Sequence, residues 1–139
     1  MRKILVCGSP WRCVSSDLAF KIAWEWCRKD IAILLERSGS EIIISLYILG
    51  KRVVEFGVKA DLLRKICEQE AKRLEKIEVH KVYVLREGSW YLSITKNNDI
   101  LELIFFTTKA PRIYLPVFIE KREWVKAVKH LGLNQPIGL

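Results

Sequence analysis

Aromatic and cationic side chains recur at alternating positions along the β-rich runs of this chain, a pattern suited to holding single-stranded nucleic acid. Unpaired bases stack on aromatic rings while lysine and arginine follow the phosphates. In the run Glu41–Leu49, the set Ile42, Ile44, Leu46 and Ile48 is apolar and Ile43, Ser45 and Tyr47 stand opposite. Further on, Trp90, Leu92 and Ile94 alternate with Tyr91, Ser93 and Thr95, and Leu101, Leu103 and Phe105 with Glu102, Ile104 and Phe106. Ile113, Leu115, Val117 and Ile119 alternate with Arg112, Tyr114, Pro116 and Phe118. Successive strand residues point to opposite faces, so the first set of each run is expected in a core and the second on an open face. That face would carry Tyr47, Tyr91, Phe106, Tyr114 and Phe118 beside Arg112, with Lys51, Arg52, Lys96 and Lys109 at hairpin ends. Trp11 and Arg12, in a Gly-Ser-Pro loop ahead of the first helix, are a second candidate contact. The competing expectation is that the aromatics fill a second hydrophobic layer or a protein interface.

Catalytic groupings are missing from the same reading. Nucleophilic serine or cysteine chemistry needs a base within hydrogen-bond reach, and the two histidines, His80 and His130, stand in a strand and at a basic helix end. Glu68 with Glu70, and Glu75 with Glu78, lie on a charged helix without metal-site spacing, and no strand-borne Asp is followed by Glu-x-Lys. Cys7, Cys13, Cys27 and Cys67 contain no C-x2-C pair, which argues against zinc. Cys27 and Cys67 read as buried thiols, with a disulfide open as an alternative. The expectation is a protein that is not an enzyme and needs no cofactor or metal.

Charge supports a polyanionic partner. Lys and Arg total 24 against 16 Asp and Glu, giving +8 and a pI near 9.5, the range of a nucleic-acid footprint. Residues 1–40 hold seven cations and four anions, and residues 109–139 six and two, so the excess gathers at the two ends. Two Gln, three Asn and one Met beside abundant Ile, Lys and Glu resemble thermophile composition. The longest apolar runs, Glu41–Leu49 and Ile100–Thr108, fall well short of the ~20 residues a membrane helix needs. Only four apolar residues stand between Lys3 and Gly8, too few for a signal-peptide core, so no membrane partner and a cytoplasmic location are expected.

The elements that must position these residues follow from periodicity. Ser15-Ser16-Asp17 can cap a helix whose apolar spacing, Ala19, Ile22, Ala23, Trp26, Cys27, Ile31 and Leu34, continues to Ser38. Glu41–Leu49 and Arg52–Val58 form a hairpin around Gly50, and Asp61 opens a second helix reaching Ile77. Val79–Arg86, Ser89–Lys96, Asp99–Thr107 and Arg112–Ile119 are four strands with connectors too short for crossover helices. A last helix, Glu120–Leu131, stops at Gly132. The expected fold is one α+β domain over residues 1–139, a mostly antiparallel sheet of hairpin and four-strand meander with about three helices mainly on one face.

Two resemblances bear on function. Lys3-Ile4-Leu5-Val6-Cys7-Gly8-Ser9-Pro10, followed by Arg12, Ser15 and a helix, resembles the first strand and phosphate loop of flavodoxin-like flavin reductases. It covers about 25 residues, and the hairpins that follow leave no room for a doubly wound parallel sheet. The wider organisation, a helix pair embracing antiparallel strands with Trp24, Trp26, Phe106 and Tyr114 among basic residues, is similar to the archaeal ThermoDBP-type single-stranded DNA-binding proteins. That resemblance implies a homodimer and a cleft with an apolar floor and a basic rim. No long carboxy-terminal coiled coil is present, so a zipper is not the expected dimer contact. The sequence thus points to largely sequence-independent binding of single-stranded DNA, or of RNA by the same chemistry. A flavin-binding reductase and a structural, protein-binding subunit are the alternatives.

Overall fold

Short turns and strongly apolar strands build most of this chain. The computed structural model describes residues 2–15, 20–68, 72–74, 77–79 and 82–133. Strand β1 (Lys3–Cys7) turns back into β2 (Arg12–Ser15), and α1 (Phe20–Cys27) leads to β3 (Ile31–Ser38), β4 (Glu41–Ile48) and β5 (Lys51–Lys59). Helix α2 (Ala60–Glu68) is followed by a small hairpin, β6 (Lys72–Leu74) and β7 (Ile77–Val79). A meander of β8 (Tyr83–Glu87), β9 (Trp90–Asn97), β10 (Ile100–Thr107) and β11 (Tyr114–Glu120) ends in α3 (Lys121–His130). The fold is α+β, with a five-stranded antiparallel sheet ordered β2-β1-β3-β4-β5 and a four-stranded one ordered β11-β10-β9-β8. The expected hairpin and meander are both present, the hairpin as one side of the larger sheet.

Two helices are shorter than their spacing suggests. Helix α1 stops at Cys27, and Ile31–Ser38 is a strand. Ala32, Ile33, Leu34 and Leu35 are buried in succession because both faces of β3 are covered, and such a continuous apolar run has no period-two signature. Helix α2 ends at Glu68; after Cys67 the next large apolar residue is Leu74, so a longer helix would have no stripe left to bury.

The inner faces of the two sheets share one core. Ile4, Val6, Ile33, Ile42, Ile44, Leu46 and Phe56 meet Leu92, Ile94, Leu103, Phe105, Val117 and Ile119, with Leu63 and Ile66 of α2 and Trp124 and Ala127 of α3 completing the cluster. The Phe56 and Phe105 rings, from opposite sheets, lie 6.1 Å apart. Helix α1 instead covers the outer face of the five-stranded sheet over Leu5, Cys7, Ala32 and Leu34. A Cys7–Cys27 disulfide ties it there, which turns Ala23 and Trp24 inward and leaves Ile22 and Trp26 exposed. The expectation of Ile22 and Trp26 on the inner stripe is therefore reversed by a covalent link that helical spacing does not register.

Helix α3 is fastened at both ends. Glu123, in its first turn, accepts the Cys13 backbone N–H at 3.1 Å, and the Trp124 indole N–H donates to the Asp99 carbonyl at 2.9 Å. At the other end Gly132 takes φ 69°, Leu133 N–H bonds the Val128 carbonyl at 2.9 Å and Gly132 N–H that of Lys129 at 3.2 Å, a Schellman stop. Arg37 donates to the Leu131 and Gly132 carbonyls at 2.8 and 3.0 Å.

Burial acts to raise the Glu123 carboxyl, but the Cys13 N–H bond, the Lys126 ammonium and the charge of Arg122 outweigh it and hold it below its ordinary value of 4.5. A depressed carboxyl contributes stability above its unfolded value and loses it as pH falls through the folded one. Glu123→Gln is expected to cost about 1–3 kcal/mol at neutral pH. Chemical denaturation across a pH series should show part of the wild-type loss below 4.5 abolished in the variant. Cys13 and Cys67 are buried and free, and burial foremost pushes each thiol up to about 12. A thiol reagent at neutral pH should therefore find no fast-reacting group in the folded protein, two on unfolding and four after reduction as well.

Candidate nucleic-acid interface

Because the inner face of the meander is committed to the core, its register assigns the outer face residue by residue. Arg86 pairs with Tyr91, Tyr91 with Phe106 and Phe106 with Tyr114, so these four form one row across all four strands. Val84, Ser93, Ile104 and Pro116 make the next row, and Thr95, Glu102 and Phe118 the one beyond. The Tyr91 and Phe106 rings are stacked, 5.2 Å apart and 12° from parallel. The Arg86 guanidinium lies 5.7 Å from the Tyr91 centroid, and its Nε donates to the Gly88 carbonyl at 3.1 Å. Tyr114 is 65% and Phe118 47% exposed, and neither of these rings, nor Tyr91 or Phe106, belongs to a buried cluster.

Cations gather at one end of this face. The loop between β10 and β11 carries Lys109 and Arg112, both exposed. Thr107 holds the loop: its hydroxyl donates to the Pro111 carbonyl at 3.0 Å and accepts from Ile113 N–H at 2.9 Å, while its own N–H bonds the Ile113 carbonyl at 3.0 Å. Lys109 lines a recess of about 360 Å³ with Trp90 and Pro111 at this end. Glu102 stands two rows away from Phe106, so the aromatic row beside Arg86 and Arg112 is the part of the face that favours an anion.

Tyr91, Phe106, Tyr114 and Phe118 thus share one face as expected, with Arg112 in the adjoining loop. The others do not join them. Tyr47 lies on the outer face of the other sheet, edge-on to Trp24 at 4.8 Å under α1; which sheet a strand enters is a long-range matter that alternation cannot supply. Lys96 pairs with Leu101, a core residue, so it lies on the inner side, its ammonium 5.4 Å from the Trp124 ring. Trp11 is partly buried against the core, where the turn between β1 and β2 folds it. Arg12, Cys7, Ala32, Tyr47 and Arg52 form one row of the five-stranded sheet, which places Arg12 and Arg52 on the side of α1 rather than with the meander aromatics, while Lys51 pairs with Ile48 on the opposite, core-facing side of that sheet. Arg52 also pairs with Glu55 at 3.1 Å. Arg86 and Val84 were missed; the positive φ of Gly88, 62°, marks the turn that sets Arg86 opposite Tyr91.

His80 lies outside the described residues. Among the described residues no group of three His, Cys, Asp or Glu side chains is placed to hold a metal ion, and no helix is long and apolar enough to cross a membrane. Comparison with protein-family models, characterised proteins and solved structures finds no match.

The assignment of faces has a direct test. Tyr114→Ser and Phe118→Ser should change unfolding free energy by no more than about 0.5 kcal/mol, the usual range for surface positions. Phe105→Ala, one residue from Phe106 but fully buried, should cost about 3–5 kcal/mol in the same denaturant titration.

Proposed function

We propose that this protein binds single-stranded nucleic acid without catalysis and largely without sequence preference, on the outer face of the four-stranded sheet. The observation that carries the reading is the row Arg86, Tyr91, Phe106 and Tyr114, one residue from each strand, with the Tyr114 ring exposed, the Tyr91 and Phe106 rings half-buried and cations at the same end. A base laid on Tyr114 or on the Tyr91–Phe106 pair gains stacking, roughly 1–3 kcal/mol each, while Arg86 and Arg112 are placed for phosphates. Duplex bases are already stacked and have nothing to gain from such a platform. DNA is the favoured strand through the resemblance noted above, and RNA would use the same contacts.

A second reading has its own observation. Val82 and Val84 are also exposed, and Ile104 and Pro116 lie in the same face, so a protein surface, including a second copy of the chain, would find apolar area to cover.

Fluorescence anisotropy of a labelled mixed-sequence strand, set against its duplex and an RNA strand at low and moderate salt, separates the two. Binding is expected to favour single strands and to persist at moderate salt. Tyr114→Ala and Phe106→Ala should each weaken it by about 1–3 kcal/mol at all salt concentrations, and Arg112→Ala should flatten the salt slope by about 0.7. Equal, salt-erased binding to all three probes, or none, with a stable oligomer by light scattering, would overturn the proposal in favour of the protein partner.

A further inference from the structure

A cleft lies away from the aromatic row, where the start of β1 and the end of β2 meet the last turns of α3. It has a volume of about 690 Å³ and is lined by Arg2, Ile4, Cys13, Ser15, Lys126, Lys129, His130 and Gly132. Ile4 and Cys13 are buried and give it an apolar base, while Arg2, Lys126 and Lys129 are exposed at its margin. Among the described residues no carboxylate lines it. Glu123, the nearest acid in sequence to Lys126, engages that ammonium at 3.3 Å but also accepts the Cys13 N–H. Arg2 and Lys129 have no ion-pair partner among the described residues.

A helix carboxy terminus ordinarily repels anions through its free carbonyls. Here four carbonyls at that end are occupied: Arg37 takes the Leu131 and Gly132 oxygens, and the Schellman bonds take those of Val128 and Lys129. Gly132 has a further part. The Arg2 guanidinium occupies the space that a Cβ on Gly132 would fill, so the absence of a side chain lets Arg2 close against the end of α3. Convergent cations above an apolar base, in a volume within the range of small-molecule sites, suit a phosphate carried on an organic group. Guanidinium binds phosphate through paired N–H donors, and ammonium acts as a point charge.

We propose that this cleft is a binding site for a phosphomonoester of nucleotide size, with the phosphate held by Arg2, Lys126 and Lys129 and the organic part over Ile4 and Cys13. A free nucleotide and the 5′-phosphorylated end of a strand present the same group, and the site is independent of the sheet face.

Isothermal titration calorimetry with AMP, adenosine and inorganic phosphate tests it. AMP is expected to bind at least about tenfold more tightly than either of the others, and Lys129→Glu, an exposed change, to weaken AMP by at least about tenfold, the loss of one charge-assisted contact. Arg2→Gln should act alike, and Tyr114→Ala should leave AMP binding unchanged. Equal binding of AMP and adenosine, equal binding of AMP and inorganic phosphate, no AMP heat at millimolar concentration, or an unaltered Lys129→Glu protein would overturn it. In the Tyr114→Ala protein, a 5′-phosphorylated oligonucleotide that outbinds its 5′-hydroxyl counterpart through Lys129 identifies the strand end as a ligand; AMP binding without that difference identifies the free nucleotide. Failure of the sheet-face reading would leave the AMP result intact, so the two are distinguishable.

Discussion

A strand that gives alternate side chains to a core must give the rest to the other side, and the shared interior of the two sheets applies that constraint to nine strands at once. Burying each large apolar side chain there contributes roughly 1.5–3 kcal/mol, so no strand can slip by one residue without exchanging its whole inner set for its outer one. The outer faces then meet different fates. In the five-stranded sheet the outward residues Leu5, Ala32 and Leu34 are themselves apolar, and α1 lies over them with its disulfide. In the four-stranded sheet the outward residues mix rings with Ser93, Glu102 and Arg86, a composition that water tolerates. One sheet therefore requires a cover, and the other can present its outer face.

What could be read in advance divides along the same line. The meander was legible because its turns are local and its strands have one wet face, so alternation was visible from Trp90 to Ile119. The grouping of Tyr91, Phe106, Tyr114 and Phe118 followed directly. β3 was not legible, since burial on both sides removes the alternation and leaves a run that equally suits a helix. Tyr47 alternates as cleanly as Tyr91 does, yet it faces Trp24; alternation identifies a face but not the sheet to which the face belongs. The azimuth of α1 depends on Cys7 bonding Cys27, a partnership across 20 residues that leaves no trace in helical spacing.

Charge tells a similar story in three dimensions. The cationic excess at the two ends of the chain looked like two separate features, but β1 and α3 are packed together, so Arg2 from one end and Lys126 and Lys129 from the other line the same cleft. Glu123 is the counterweight that lets this happen. Its carboxylate reaches across to the Cys13 N–H, securing α3 to β2 while moderating the charge of Lys126.

Pro116 sits in the middle of β11, an outermost strand of its sheet, opposite Ile104. A proline is accommodated in such a strand where the missing N–H would have pointed outward, so the free edge of β11 lacks a hydrogen-bond donor at its centre. A neighbouring chain seeking to extend the sheet by adding a strand there would meet a gap in the ladder. The molecule can display a broad aromatic surface without also offering the adjoining edge as a template for fibrous growth.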